Sequence, residues 1–314
     1  MVLKGRLGID GARVAQADRH GVLWLGRGIL DVRDGVARFV TAGTEWLPAG
    51  DYALPFQQLS CVVLGPGTSV THDVLRLFAA HGTGLVATGE DGVRLYASMP
   101  FGPDDSRRAR RQVAIWSNEA ARLLLARRMY AWRMGEIFPD ASLDVLRGME
   151  GARVKATYER LAQSYGITWR GRRYDRSDPE AADPPNQAIN HAATAVTSCA
   201  MVATAVSGVI PQLGFIHEAS GVAFCLDVAD LFRDAVTVPA AFAAVKEHRS
   251  KPDESLERVV RRLVGKLARR TQLVAQMIDR IKEMLDDRSD DPPRERGWTA
   301  RDGGVSRSQG GSPA

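Results

Sequence analysis

The sequence predicts an α+β protein of two domains: a small β-rich N-terminal domain over residues 1–99 and a larger all-helical domain over residues 107–286. Two observations carry this. Up to about residue 98 the apolar residues come in short β-rich runs separated by turn signals, and after the Pro- and Gly-containing segment 100–106 they recur at helical spacing. The chain has 314 residues, 45% of them hydrophobic, which suffices for two domains with real cores.

The N-terminal runs are Val22–Leu25, Val36–Val40, Cys61–Leu64, Gly84–Ala87 and Val93–Tyr96. Arg33-Asp34-Gly35 and Glu90-Asp91-Gly92 are turn signals between them. One helix interrupts the strands: Thr71–His81 opens on a good N-cap and carries Val74, Leu75, Phe78 and Ala79 on one face. Residues 100–106 form a linker. Beyond it the spacing predicts one long arginine-studded helix over Arg107–Met134, a second over Asp144–Tyr165, a polar loop over Arg170–Pro185 and a buried helix over Asn186–Val209. A short helix follows over Phe224–Phe232. A long amphipathic one over Asp253–Leu285 has Leu256, Val259, Val260, Leu263, Leu267, Val274, Met277, Ile278 and Ile281 at helical spacing. Residues 287–314, rich in Asp, Arg, Gly, Ser and Pro, read as a disordered tail.

Composition narrows the setting. Ala192–Ile210 is uncharged and long enough to span a bilayer, but its Ala, Thr and Ser content and lack of an aromatic belt predict a buried central helix and no membrane. The three cysteines, Cys61, Cys199 and Cys225, form no C-x-x-C pair, which predicts a reduced, cytoplasmic setting without a zinc cluster. The N-terminus lacks the apolar core of a signal peptide. Net charge is only +5, yet arginines cluster: at Arg107, Arg108, Arg110 and Arg111, at Arg170, Arg172 and Arg173 beside Trp169 and Tyr174, and along the last helix. Such clusters favour a polyanion such as nucleic acid, with solvated helix faces as the alternative.

Four residues carry the chemistry. Glu150 lies on the stripe of Val154, Tyr158, Leu161 and Tyr165, where a carboxylate must be neutral, paired or bound to a cation. His217 closes a long apolar run. Asp227 and Asp230, three residues apart, share one side of a helix. Carboxylates with an imidazole form a hard donor set suited to Mg2+ or Mn2+, the usual means of phosphodiester chemistry. Read alone, the same residues also fit a salt bridge from Glu150 to Arg147 or Arg153, a satisfied core histidine and an exposed acidic face.

A set of ordered motifs decides between these. The segment from Leu146 to Tyr158, with Arg147-Gly148-Met149-Glu150-Gly151 at its centre, resembles the signature of the CRISPR-associated integrase, the universal endonuclease of spacer acquisition. So do Gly171-Arg172-Arg173-Tyr174-Asp175, Asn186-Gln187, Gly214-Phe215-Ile216-His217 and Leu226-Asp227-Val228-Ala229-Asp230, and in the first domain the segments 65–72 and 92–97. The likeness runs from about residue 3 to 285 and is strongest to the branch that works with the Cascade complex (type I-E). It implies a β-sandwich-like N-terminal domain before the helical one. It implies a metal held by Glu150, His217 and Asp230, with Asp227 close by, and Mg2+ or Mn2+ as cofactor. It also implies a homodimer, two of which flank a dimer of a small ferredoxin-like partner in a heterohexamer. That assembly would join the 3′-hydroxyl ends of a double-stranded prespacer to the leader-end CRISPR repeat by transesterification, with nuclease activity at the same site. Arg94, Arg172, Arg173 and Arg233 match basic positions of relatives and are the expected DNA contacts, with Arg76 and Arg258 as weaker ones. The chain departs from the pattern at Arg27, where relatives have Tyr, at Val196-Thr197-Ser198, where they often have Leu-Tyr-Gly, and at Ser69, where a relative has a basic residue. The rival readings are a stand-alone structure-specific nuclease and a non-catalytic DNA-binding scaffold.

Overall fold

A computed structural model describes residue 19 and residues 21–98, 106–173 and 182–286. The linker, most of it, and the tail lie outside the described residues, as does the middle of the polar loop. The N-terminal part holds eight described strands in two four-stranded sheets. The strands are β1 (Val22–Leu25), β2 (Gly28–Arg33), β3 (Val36–Thr41), β4 (Gly50–Ala53), β5 (Cys61–Leu64), β6 (Thr68–Val70), β7 (Gly84–Thr88) and β8 (Leu95–Ser98), with α1 (His72–His81) between β6 and β7. One sheet has the order β1-β5-β7-β8 and the other β4-β3-β2-β6. The sequence reading found five of these strands and missed β2, β4 and β6. They are short or alternate with charge: on the outer face of the second sheet Asp31, Arg33, Arg38 and Asp51 form a network of exposed ion pairs. The Asp34-Gly35 turn closes the β2–β3 hairpin with positive φ at both residues, 52° and 76°, as a two-residue hairpin turn needs. The predicted Val93–Tyr96 strand starts later, at Leu95, because Glu90–Gly92 forms a 3-10 turn.

The first sheet is apolar on both faces, and its alternation sorts side chains between two cores. Leu25, Val62, Leu64 and Leu85 join Leu30 and Phe39 of the second sheet and Val74 and Phe78 of α1. Their neighbours Cys61, Val63 and Val86 point the other way, into the core of the helical part. The first sheet therefore rests directly on the helices.

The helical part comprises α2 (Arg107–Trp116), α3 (Glu119–Met134), α4 (Leu143–Tyr165), α5 (Pro184–Ser207), α6 (Ala223–Asp230), α7 (Val238–Ser250), α8 (Leu256–Thr271) and α9 (Leu273–Leu285). Two predicted long helices are in fact pairs. The 107–134 stretch breaks at Asn118, whose side chain accepts from the Ala121 amide at 3.0 Å and caps a new helix. The 253–285 stretch breaks at Gln272, which takes a left-handed φ of 52°. Helix α7 was not predicted; it follows a π-helical turn at Arg233–Thr237 and buries Val238, Ala241, Phe242 and Val245. Helix α5 is long and apolar enough to cross a membrane, yet α6, α7, α8 and α9 pack around it, and its Ile189, Val196, Cys199 and Val202 are fully enclosed. It is the central core helix.

Candidate active site

The site begins with a loop wrapped over a buried carboxylate. Asp227, near the middle of α6, is 1% exposed. Its Oδ2 accepts the backbone amides of Phe215 at 2.5 Å and Ile216 at 3.1 Å, and its Oδ1 accepts that of His217 at 2.9 Å. Oδ1 also meets the His217 ring at Nδ1, 2.7 Å away. Gly214 makes the turn possible, since a Cβ there would overlap the His217 carbonyl and crowd Ala223. Two helices brace the loop from outside. Arg147 of α4 donates to the Ile216 carbonyl at 3.1 Å, and Arg122 of α3 pairs with Glu218 at 2.5 Å.

This arrangement settles the orientation of His217. With Nδ1–H donating to the Asp227 carboxylate, the neutral ring presents Nε2 with its free lone pair. Nε2 faces Asp230 Oδ2 at 3.8 Å, too far for a hydrogen bond. The bond to Asp227 raises the His217 pKa above its ordinary value; burial opposes the rise, the charges of Asp227 and Asp230 add to it, and Arg233 offsets part of it. The Asp230 carboxylate is held by Arg233, which reaches Oδ1 at 2.6 Å and 3.0 Å and contacts the Tyr158 hydroxyl at 3.4 Å.

Glu150, on α4, pairs with neither Arg147 nor Arg153. Its Oε1 meets Arg133 of α3 at 2.7 Å, and the same guanidinium stands 3.8 Å from Asp230 Oδ2. The Arg133 side chain is only 7% exposed. Tyr130 lies one turn before it and is fully buried, its hydroxyl beside Glu150 but without a close hydrogen bond among the described residues. Burial pushes the Tyr130 phenol up, the charge of Glu150 and the approach of the hydroxyl to it push it further, and Arg133 and Arg147 offset part of the rise.

Arg133 thus links Glu150 of α4 to Asp230 at the end of α6, and Asp230 faces His217 of the loop before α6. Asp227, expected beside them as a metal ligand, does not face the same space: its oxygens are committed to the loop and to Nδ1, so it acts by holding His217. Among the described residues no group of three or more His, Cys, Asp or Glu side chains is placed to hold a metal ion. Arg133 stands between Glu150 and Asp230. Sequence reasoning missed Arg133 and Tyr130 as site residues. Their only signal was Tyr-x-x-Arg on the apolar stripe of Met129, Tyr130 and Met134.

The expected DNA contacts separate into groups. Arg233 belongs to the acid cluster, not to an outward basic patch. Arg172 donates to the side-chain oxygens of Asn186 at 3.0 Å and Asn190 at 2.6 Å, and the Arg173 amide donates to Asn186 at 2.9 Å, so the start of α5 fixes this pair. Arg94 pairs with Glu257, and Arg258 lies 3.7 Å from Glu254, which puts both at the start of α8. The turn before Arg94 docks against the second half of α8, where Gly265 leaves room for Asp91, which Arg269 meets at 3.4 Å. Arg76 stands apart on α1, paired with Asp73 at 3.1 Å.

Comparison with known proteins agrees with the motifs. Residues 133–276 match the family model described as CRISPR associated protein Cas1. The chain is 36% identical over 271 residues to the CRISPR-associated endonuclease Cas1 of Escherichia coli K12, covering 85% of each chain. It is 37% identical over 269 residues to an endonuclease Cas1 of Methanospirillum hungatei, covering 85% of this chain and 87% of that one. Among solved structures, a TtCas1-DNA complex superposes with a TM-score of 0.73 at 31% identity, covering 86% of this chain and 97% of the other. A casposase bound to integration product shares the fold alone, with a TM-score of 0.56 at 12% identity. With this identity over most of its length and these motifs around one cluster, the chain belongs to the Cas1 family of CRISPR-associated endonucleases.

Proposed function

We propose that the protein is a metal-dependent DNA integrase of CRISPR adaptation. It would join the 3′-hydroxyl ends of a short duplex prespacer to the leader-proximal repeat, and cleave DNA when water replaces the hydroxyl. The observation that carries this reading is that Glu150 and Asp230, from two separate helices, share one buried guanidinium while His217, from a third segment, faces Asp230. Likeness to a TtCas1-DNA complex supports duplex binding.

The donor set fits a divalent cation. Two carboxylates and a neutral imidazole are hard ligands suited to Mg2+ or Mn2+, and a cationic guanidinium between two of them marks a place where positive charge is stabilised. Glu150, His217 and Asp230 would hold the ion, which supplies charge stabilisation at the reacting phosphate and acidifies the attacking hydroxyl. The protein's own groups do the positioning. Asp227 fixes the tautomer of His217, Arg233 fixes Asp230, and Arg172 and Arg173 bind the phosphodiester backbone, with Arg94 and Arg258 extending the basic surface. Such contacts are largely indifferent to sequence. In the transfer, the 3′-oxygen bonds to the repeat phosphorus as the bond to the repeat strand's own 3′-oxygen breaks, and the leaving oxygen takes up a proton. No protein nucleophile is needed. The working assembly is two homodimers joined through a dimer of a small ferredoxin-like partner into a heterohexamer in the cytoplasm.

A strand-transfer assay tests the proposal. Protein and partner are mixed with labelled duplex and a plasmid carrying leader and repeat, with Mg2+ or Mn2+. Label joined covalently to plasmid by the wild type, but not by Glu150→Ala or in EDTA, is the expected result. Cleavage without joining would favour a stand-alone nuclease, and tight binding with neither reaction would favour a scaffold.

A further inference from the structure

We propose that Arg133 is a built-in placeholder for the divalent cation, and that it makes metal binding depend on DNA. The inference rests on the metal-dependent reading above. Arg133 touches Glu150 at 2.7 Å and stands 3.8 Å from Asp230, with its side chain almost fully buried. The second contact is too long to be a good hydrogen bond, so the guanidinium is anchored on one carboxylate and only electrostatically drawn to the other. It spaces the two proposed ligands apart in the metal-free protein.

Two further features let it leave. Arg233 already holds the other Asp230 oxygen at 2.6 Å, so Asp230 keeps its orientation without Arg133. The Tyr130 hydroxyl is buried beside Glu150 and makes no close hydrogen bond among the described residues, so it can close on that carboxylate once the guanidinium withdraws.

Charge then links the metal to DNA. Glu150 and Asp230 face Arg133 and Arg233, and Asp227 stands behind His217, so the cluster sets three negative charges against two positive. With His217 neutral, a divalent cation arriving while Arg133 stays leaves the cluster one positive charge beyond neutral. A DNA phosphate at the site cancels that excess and offers the guanidinium a new, bidentate partner. Metal and duplex should therefore bind with positive coupling, and linkage requires the coupling to be reciprocal.

The test measures Mn2+ binding by electron paramagnetic resonance, in the full-length protein with and without a short duplex whose 3′ ends are blocked. In the wild type, duplex should tighten Mn2+ binding by roughly fivefold or more, within the usual range of coupling between sites. Arg133→Met should bind Mn2+ more tightly than wild type without DNA, and the duplex effect should fall to about twofold or less. Arg133→Lys, which keeps the charge, should restore most of the coupling, which a purely structural role for the arginine would not require. Unchanged or weaker Mn2+ binding by folded Arg133→Met overturns the inference. So does a wild type whose Mn2+ affinity ignores the duplex, a measurement that stands even if the Met variant fails to fold. A wild type that binds no Mn2+ in either condition overturns the metal-dependent reading itself along with this one.

Discussion

Replacing Asp227 by Asn separates the two roles a carboxylate at this position can have. Asp227 is 1% exposed and receives three backbone amides and the His217 ring. An Asn side chain keeps one acceptor oxygen. Placed to serve Phe215 and Ile216, it turns its amide group toward the His217 backbone N–H and toward Nδ1. One backbone donor is then orphaned, and two hydrogen bonds to a charged acceptor become bonds to a neutral one. At about 1–3 kcal/mol for the orphaned buried group, with a smaller loss at each weakened bond, the metal-free protein should lose about 2–4 kcal/mol. The amide N–H also forces Nδ1 to accept, which moves the ring proton to Nε2 and removes the lone pair that faces Asp230. Metal affinity should fall about 10- to 100-fold, as for other residues that orient a metal-binding histidine. Urea denaturation in EDTA measures the first effect and Mn2+ titration the second. A variant as stable as wild type in EDTA, but deficient in metal binding, would refute this reasoning and return Asp227 to the role of a direct ligand.

Three other outcomes follow from the same geometry. His217 has a raised pKa because Asp227 and then the nearby acidic charges favour its imidazolium. Its contribution to the stability of the metal-free protein should therefore be fully present below its ordinary value of 6.5 and be lost as pH rises through the raised value. NMR titration of the ring protons in EDTA should show the upshift, and Mg2+, which requires the neutral ring, should lower the midpoint. Gly214→Ala places a Cβ against the His217 carbonyl and Ala223, and should cost about 1–3 kcal/mol in denaturant unfolding through overpacking. The double variant Arg172→Ala/Arg173→Ala should weaken duplex binding across unrelated sequences and reduce the slope of log affinity against log salt by about two, read from fluorescence anisotropy over a salt series.

Much of this molecule is decided by local pattern. The alternation in Cys61–Leu64, the spacing along 144–165 and the uncharged run at 192–210 depend only on which residues neighbour each other along the chain, and these segments became the strands and helices expected of them. Element ends were less legible, because Asn118 and Gln272 interrupt stretches whose apolar spacing continues across them. Strand β2 was hidden because its exposed face carries charges that satisfy one another only after the sheet forms. The acid and imidazole residues were legible as a set, since each is out of place in an apolar context. Their division of labour was not. Asp227 and Asp230 lie about 60° apart around one helix, and sequence spacing alone cannot say which of them turns inward. The loop 214–217 decides it by folding its amides over Asp227 and leaving Asp230 to the open side. Arg133 lay concealed for the same reason. A guanidinium on one helix acquires its meaning from carboxylates on two others, and that long-range juxtaposition exists only in the packed structure.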